Sequence, residues 1–130
     1  MRTNKVVWTG RILSAVICFF FGFNALVKMF PETFYPQMIE QMGGIGLPAN
    51  ILPVIAGLEL LCVITYAVPT TSVLGAVLFT GYVGGTILTH LRVNESVGMQ
   101  VTFGLLIWLG LYLREPRLHS LLPIRRRETL

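Results

Sequence analysis

Apolar residues in this chain run in blocks rather than alternating with polar ones. Four blocks stand out: about Ile12 to Met29, Ile51 to Val68, Ser72 to Leu91 and Met99 to Leu113. Each approaches the roughly 20 residues that a helix needs to cross the hydrocarbon core of a bilayer. Backbone groups in lipid must be satisfied within the segment, which selects helix, and the alternation of a barrel strand is absent. The pattern predicts an all-α, polytopic membrane protein. It is one domain over residues 1–130, a four-transmembrane-helix bundle with helices at about 12–29, 51–68, 72–91 and 99–113.

The connections refine this outline. Pro69-Thr70-Thr71-Ser72 predicts a tight turn with Ser72 as the helix cap. Arg92 to Gly98 is a brief polar turn. Residues 30–50 form a longer link holding Pro31, Pro36, Pro48 and Gly43-Gly44-Ile45-Gly46. Its middle allows one or two helical turns with Met38, Ile39 and Met42 on one face, lying on the membrane surface; the alternative is an ordinary linker.

Composition supports the membrane reading. Charged residues make up 12% of the chain and hydrophobic ones 54%, whereas soluble domains carry roughly 25% charged residues. The mean hydropathy is +0.72. The net charge of +4 does not indicate nucleic acid. Its basic residues gather at the ends (Arg2, Lys5, Arg11, then Arg114, Arg117, Arg125, Arg126, Arg127) without a basic, aromatic-interleaved face. Retention of Lys and Arg on the cytoplasmic side predicts an N-in/C-in topology. The opposite side then carries Glu32, Glu40 and Glu95, with Lys28 and Arg92 at helix ends. Arg2 and Lys5 ahead of an apolar run also suit a signal peptide, but the run is long for one and Phe23-Asn24-Ala25 is a poor cleavage site.

The polar residues inside the blocks need an account. On this topology Asn24, Lys28, Glu59, Tyr82, Thr86, His90 and Arg92 all fall in the outer half. Asn24 and Lys28 share a face of the first helix; Tyr82, Thr86, Thr89 and His90 form a stripe on the third. Glu59 shares a face of the second with Ala56 and Tyr66, with Cys62 alongside. It lies about eight residues from the outer end, roughly 12 Å deep. Lys28 can snorkel and Arg92 sits near the interface. Glu59 is too short for that, so it pairs with Lys28, His90 or Arg92, or holds a proton. Either the group is a structural contact fixing helix register, or it lines an outward-facing pocket for a headgroup, a quinone or a proton.

Gly81, Gly84 and Gly85 include a Gly-xxx-Gly pair, expected to pack the bundle closely, or else to face a second copy in a homo-oligomer. Cys18 and Cys62 fall at similar depth and read as small buried hydrophobes, with a redox pair as the alternative. Trp8, Phe30, Phe34, Tyr35, Trp108 and Tyr112 suit interfacial belts. No metal-ligand spacing, P-loop, dinucleotide fingerprint or catalytic triad order is present. No cofactor is evident and a metal site is not expected.

The order of motifs resembles the DoxX-like family, small four-helix membrane proteins of bacteria related to DoxX. The resemblance rests on Gly81-Tyr82-Val83-Gly84-Gly85 with Thr89-His90-Leu91-Arg92, and on the run Trp108 to Leu118. Asn24 to Phe30 and Gly57-Leu58-Glu59-Leu60 also match, while Phe23-Asn24 stands where the family pattern has Ser-Gly. It implies a multi-pass protein of the bacterial cytoplasmic (inner) membrane. DoxX is associated with a thiosulfate:quinone oxidoreductase as a small membrane subunit, and related proteins with redox complexes and oxidative stress. By that analogy the chain is expected to be a non-catalytic accessory or anchor subunit of a membrane redox or stress-response system, with a membrane or soluble oxidoreductase as partner beside the lipid bilayer. Quinone enters by family analogy only. The alternatives are a small-molecule (quinone, lipid or proton) binding or transport protein built around Glu59, and a quinone-linked enzyme in its own right.

The topology is testable directly. A reporter fused after Leu130 should be active only in the cytoplasm; activity confined to the outer side would sink the N-in/C-in assignment.

Overall fold

The computed structural model describes residues 4–125, so Arg2, Arg126 and Arg127, which entered the topology argument, lie outside the described residues. Among the described residues all regular structure is helical. The long helices are α1 (Asn4–Met29), α4 (Leu52–Ala67), α5 (Ser72–Leu91) and α6 (Gly98–Arg114), and the α1–α4 connection holds the short helices α2 (Pro31–Phe34) and α3 (Gln37–Gly44). Helix α1 begins ahead of the apolar block, and Thr9 Oγ1 donates to the Lys5 carbonyl within its polar first turns.

The long helices form a four-cornered, up-down-up-down bundle: α1 packs on α4 and α6, and α5 closes the square against the same two. Phe21, Tyr66, Phe79, Ile107 and Leu111 fill the axis, with Phe21 and Tyr66 both edge-on or tilted against Phe79. Outward, all four long helices expose large apolar side chains, such as Phe19, Ile64, Leu88 and Leu105. A contiguous belt of this kind belongs against lipid or another apolar surface, not water. By length and composition, the segments Asn4–Met29 and Pro69–Leu91 are fit to cross a membrane.

The two ends of the bundle differ. At the end carrying the described termini, the Tyr66 hydroxyl donates to the Ile107 carbonyl and lies 3.2 Å from Ser14 Oγ, joining α4, α6 and α1. Arg114 turns inward there. Its Nη2 donates to the Tyr66 carbonyl at 2.7 Å and its guanidinium lies 4.8 Å from the Tyr66 ring centroid. This arginine, read from sequence only as a topology marker, is therefore also an interhelix tie. Trp108 makes another, donating from Nε1 to Thr80 Oγ1 at 2.8 Å.

Close approach of the helices at this end depends on glycine. A Cβ at Gly75 would stand 2.2 Å from the Tyr66 nitrogen; at Gly10, 2.7 Å from the Arg114 nitrogen; at Gly110, 2.9 Å from Ser14 Oγ. The expectation that Gly81, Gly84 and Gly85 pack the bundle is corrected. All three are exposed, and an added Cβ would meet nothing within 4 Å. The inward stripe of α5 is Gly75, Ala76, Phe79 and Val83, which turns the Gly-xxx-Gly pair outward.

Two loop expectations also change. Ser72 is not the cap of α5: Thr71 occupies that position without a side-chain cap bond, and the Ser72 hydroxyl donates to the Pro69 carbonyl. The 30–50 link is more than a linker, but its apolar residues do not share an outward face. Met38 and Ile45 are buried, and Ile39 and Met42 are half-buried. The segment folds over the far end of the bundle as a cap. Gly46 supports its last turn with φ +87°, a left-handed conformation natural to glycine.

Gly75→Ala should lower stability by about 1–3 kcal/mol through overpacking against backbone, while Gly81→Ala, whose Cβ meets nothing, should leave it unchanged or raise it by up to about 1 kcal/mol, because alanine is the better helix former. Thermal unfolding in detergent reads both; equal effects would refute this assignment of the packing glycines.

Candidate functional site

At the capped end three helices contribute to one buried polar group. Helix α1 supplies Lys28, α4 supplies Glu59 and α5 supplies Tyr82. Lys28 Nζ donates to Glu59 Oε2 at 2.7 Å and to the Tyr82 hydroxyl oxygen at 2.9 Å. The Tyr82 O–H in turn donates to Glu59 Oε2 at 2.9 Å, closing a triangle. The Glu59 side chain is 1% exposed and that of Lys28 11%. Lys28 Nζ also lies 5.6 Å from the Tyr82 ring centroid, within cation–π range.

The sequence left three cations open as the partner of Glu59, and the fold brings Lys28. Its flexible stem reaches across from α1 beneath the cap. His90 is held on its own helix, with Nδ1 2.7 Å from the Thr86 carbonyl. Its Nε2 lies 3.7 Å from Glu95 Oε2, beyond a direct hydrogen bond. Arg92 stands apart: it is exposed, past the end of α5, and its Nη2 would be 2.9 Å from a Cβ on Gly46 of the cap.

Two cavities adjoin this triangle. The larger, about 440 Å³, is bounded by α4, α5 and the cap, with Ile51, Ile55 and Leu58 on one side and Gly81, Gly85, Thr86 and Thr89 on the other. The smaller, about 180 Å³, lies toward α1 and α6 and reaches Asn24, Glu59, Phe103 and Gln100. Lys28, Met42, Tyr82, Thr86 and His90 border both. Of the residues expected at a pocket, Asn24, Lys28, Glu59, Tyr82, Thr86 and His90 therefore meet here, and Arg92 does not. Asn24 Nδ2 donates to the Phe20 carbonyl.

Gln100 was not foreseen. Its Oε1 is buried without a hydrogen-bond partner. A lone amide in the first turn of an apolar helix was the available signal, but no helical spacing tied it to the other three helices. Met42, for which the sequence left a membrane-surface helix and an ordinary linker open, borders both cavities.

The triangle brings a cation and an anion into contact and leaves no formal charge to recruit a counter-ion. It is suited to hold and orient a polar group rather than to supply a nucleophile. No group of three or more His, Cys, Asp or Glu is placed to hold a metal among the described residues. Cys18 and Cys62 are both free, Cys62 within the core and Cys18 packed against it.

An all-helical bundle with an apolar exterior, two helices long and apolar enough for a bilayer, and a charged pair hidden at one end defines a small membrane protein. Residues 12–111 match the family model of the DoxX-like family, and the chain belongs to that family. No curated protein and no solved structure matches it.

Breaking the pair should be far more damaging than replacing it. Glu59→Leu or Lys28→Met alone should destabilise by roughly 3–5 kcal/mol, because each strands a buried charged partner. The double variant Lys28→Met/Glu59→Leu should recover most of that loss. Additive losses in a double-mutant cycle would show that the two side chains do not interact.

Proposed function

We propose that this protein spans the bacterial inner membrane four times, with both termini cytoplasmic, and binds a small amphiphile in the cavities beside Lys28, Glu59 and Tyr82. The exposed apolar belt on all four long helices supports the four-span reading. Helix α4 has 16 residues, about 24 Å by helical rise. The short helical turn Ala49–Ile51 runs directly into it and extends it toward the roughly 30 Å needed. Lys5, Arg11, Arg117 and Arg125 at the other end support the orientation.

The observation that carries the binding reading is the pairing of a mostly apolar cavity of about 440 Å³ with a buried polar triangle. Small-molecule sites typically have such volumes and combine apolar walls with a few polar groups. A lipid-like or quinone-like molecule fits this description. An ion pair that served only to fix helix register would not need open space on two sides.

Family membership supports a second reading, the accessory or anchor subunit of a membrane redox or stress-response system. Co-purification with an oxidoreductase distinguishes it, and the two roles are compatible in one protein.

Native mass spectrometry of the protein released from mild detergent should show a one-to-one adduct of an amphiphile. Ile55→Trp, which fills the larger cavity, should remove the adduct without unfolding the bundle. An adduct of unchanged occupancy in the variant would place any bound amphiphile elsewhere and refute the reading.

A further inference from the structure

The polar wall of the larger cavity is chemically one-sided. Thr86 Oγ1 already donates its proton to the Val83 carbonyl, and Thr89 Oγ1 to the Gly85 carbonyl, each at 2.7 Å. Both hydroxyls therefore face a ligand as acceptors. His90 Nδ1 lies 2.7 Å from the Thr86 carbonyl, which can only accept, so Nδ1 carries the hydrogen. Its Nε2 lies 3.7 Å from Glu95 Oε2, itself only an acceptor, so His90 adds no acceptor to the wall. Against the two threonine hydroxyls stands one donor. Lys28 Nζ has three protons and makes two hydrogen bonds, to Glu59 and Tyr82, which leaves one.

A group that completes this wall must give a hydrogen bond to Thr86 or Thr89 and accept one from Lys28. A hydroxyl does both. A ketone, quinone or ether only accepts, and leaves both threonine acceptors unpaired. A charged head is disfavoured because Lys28 and Glu59 already neutralise each other, and an uncompensated charge at membrane depth is costly.

The way in is set by the glycines. Gly81 and Gly85 border the cavity and are exposed, with no atom within 4 Å of a Cβ built on either. Opposite them Leu58 of α4 is 54% exposed. The cavity therefore opens sideways between α4 and α5, toward the apolar surroundings of the bundle. Any larger residue at 81 or 85 would stand in that opening.

We propose that the cavity selects a neutral amphiphile with a hydroxyl head, an alcohol or a phenol, admitted from the bilayer between α4 and α5 across Gly81 and Gly85. This rests on the binding function proposed above and narrows its ligand.

The test uses the full chain in lipid nanodiscs and three photoreactive probes with one tail: a long-chain alcohol, its methyl ether and the matching trimethylammonium. Labelling sites are mapped by peptide mass spectrometry at equal bilayer content of probe. The alcohol should label residues 51–58 and 81–90 about tenfold more than the ether, the size of one well-made hydrogen bond in a dry site. Thr86→Val/Thr89→Val should remove that preference while keeping the fold. Gly81→Leu, and independently Gly85→Leu, should suppress labelling by the alcohol. Equal labelling by alcohol and ether, or preference for the ammonium, would overturn the hydroxyl head while leaving a binding cavity. Alcohol labelling insensitive to both glycine variants would overturn the lateral entry. Absence of cavity labelling by every probe would overturn the hydroxyl proposal, and with an unchanged native-mass adduct in Ile55→Trp it would overturn the binding reading too.

Discussion

A carboxylate that cannot reach water must find its partner within the protein, and the capped half of this bundle is arranged around that requirement. Glu59 sits at 1% exposure among apolar helices, with Lys28 and Tyr82 converging on one of its oxygens. Each partner comes from a different helix. The triangle therefore fixes the rotation of α1 and α5 about their own axes as well as their distance from α4. Once Lys28 and Tyr82 are turned inward, Asn24, Thr86 and His90 follow, because they lie one or two turns along the same faces. The two cavities are what remains between these polar faces and the apolar residues of α4, α6 and the cap.

The opposite half solves a different problem. Its polar groups are few and close: Ser14, Tyr66, the Ile107 carbonyl and Arg114. Glycines at 10, 75 and 110 let the backbones approach until little but hydrogen bonds and ring edges fills the gap. In lipid there is no hydrophobic drive between helices, so such contacts and van der Waals packing must hold them together.

Much of this was legible in the sequence because membrane helices obey strict rules. Block length indicated helices, and the cost of a buried carboxylate showed that Glu59 needed a partner. Helical spacing grouped Tyr82, Thr86 and His90. The choice among Lys28, His90 and Arg92 was not legible, because it depends on where each side chain can reach in space. His90 is occupied by its own backbone and Arg92 lies beyond the last turn of α5. The glycine motif misled for a related reason. Spacing says which residues share a face, but not which way the face points, and on α5 the inward direction is set by Phe79 and Val83. Met38 and Met42 showed the same limit: an apolar face on a short helix suits a membrane surface and a bundle lid equally well.

The Tyr66 hydroxyl joins α1, α4 and α6 at one level, while α5 rests its Gly75 against the Tyr66 backbone. All four long helices are thus clamped at a single height near one end. Their other ends are held by the Lys28–Glu59–Tyr82 triangle, which ties α1, α4 and α5 but not α6. The bundle is thus cross-tied through four helices at one end and through three at the other, and the cavities lie at the end where α6 is left out of the tie.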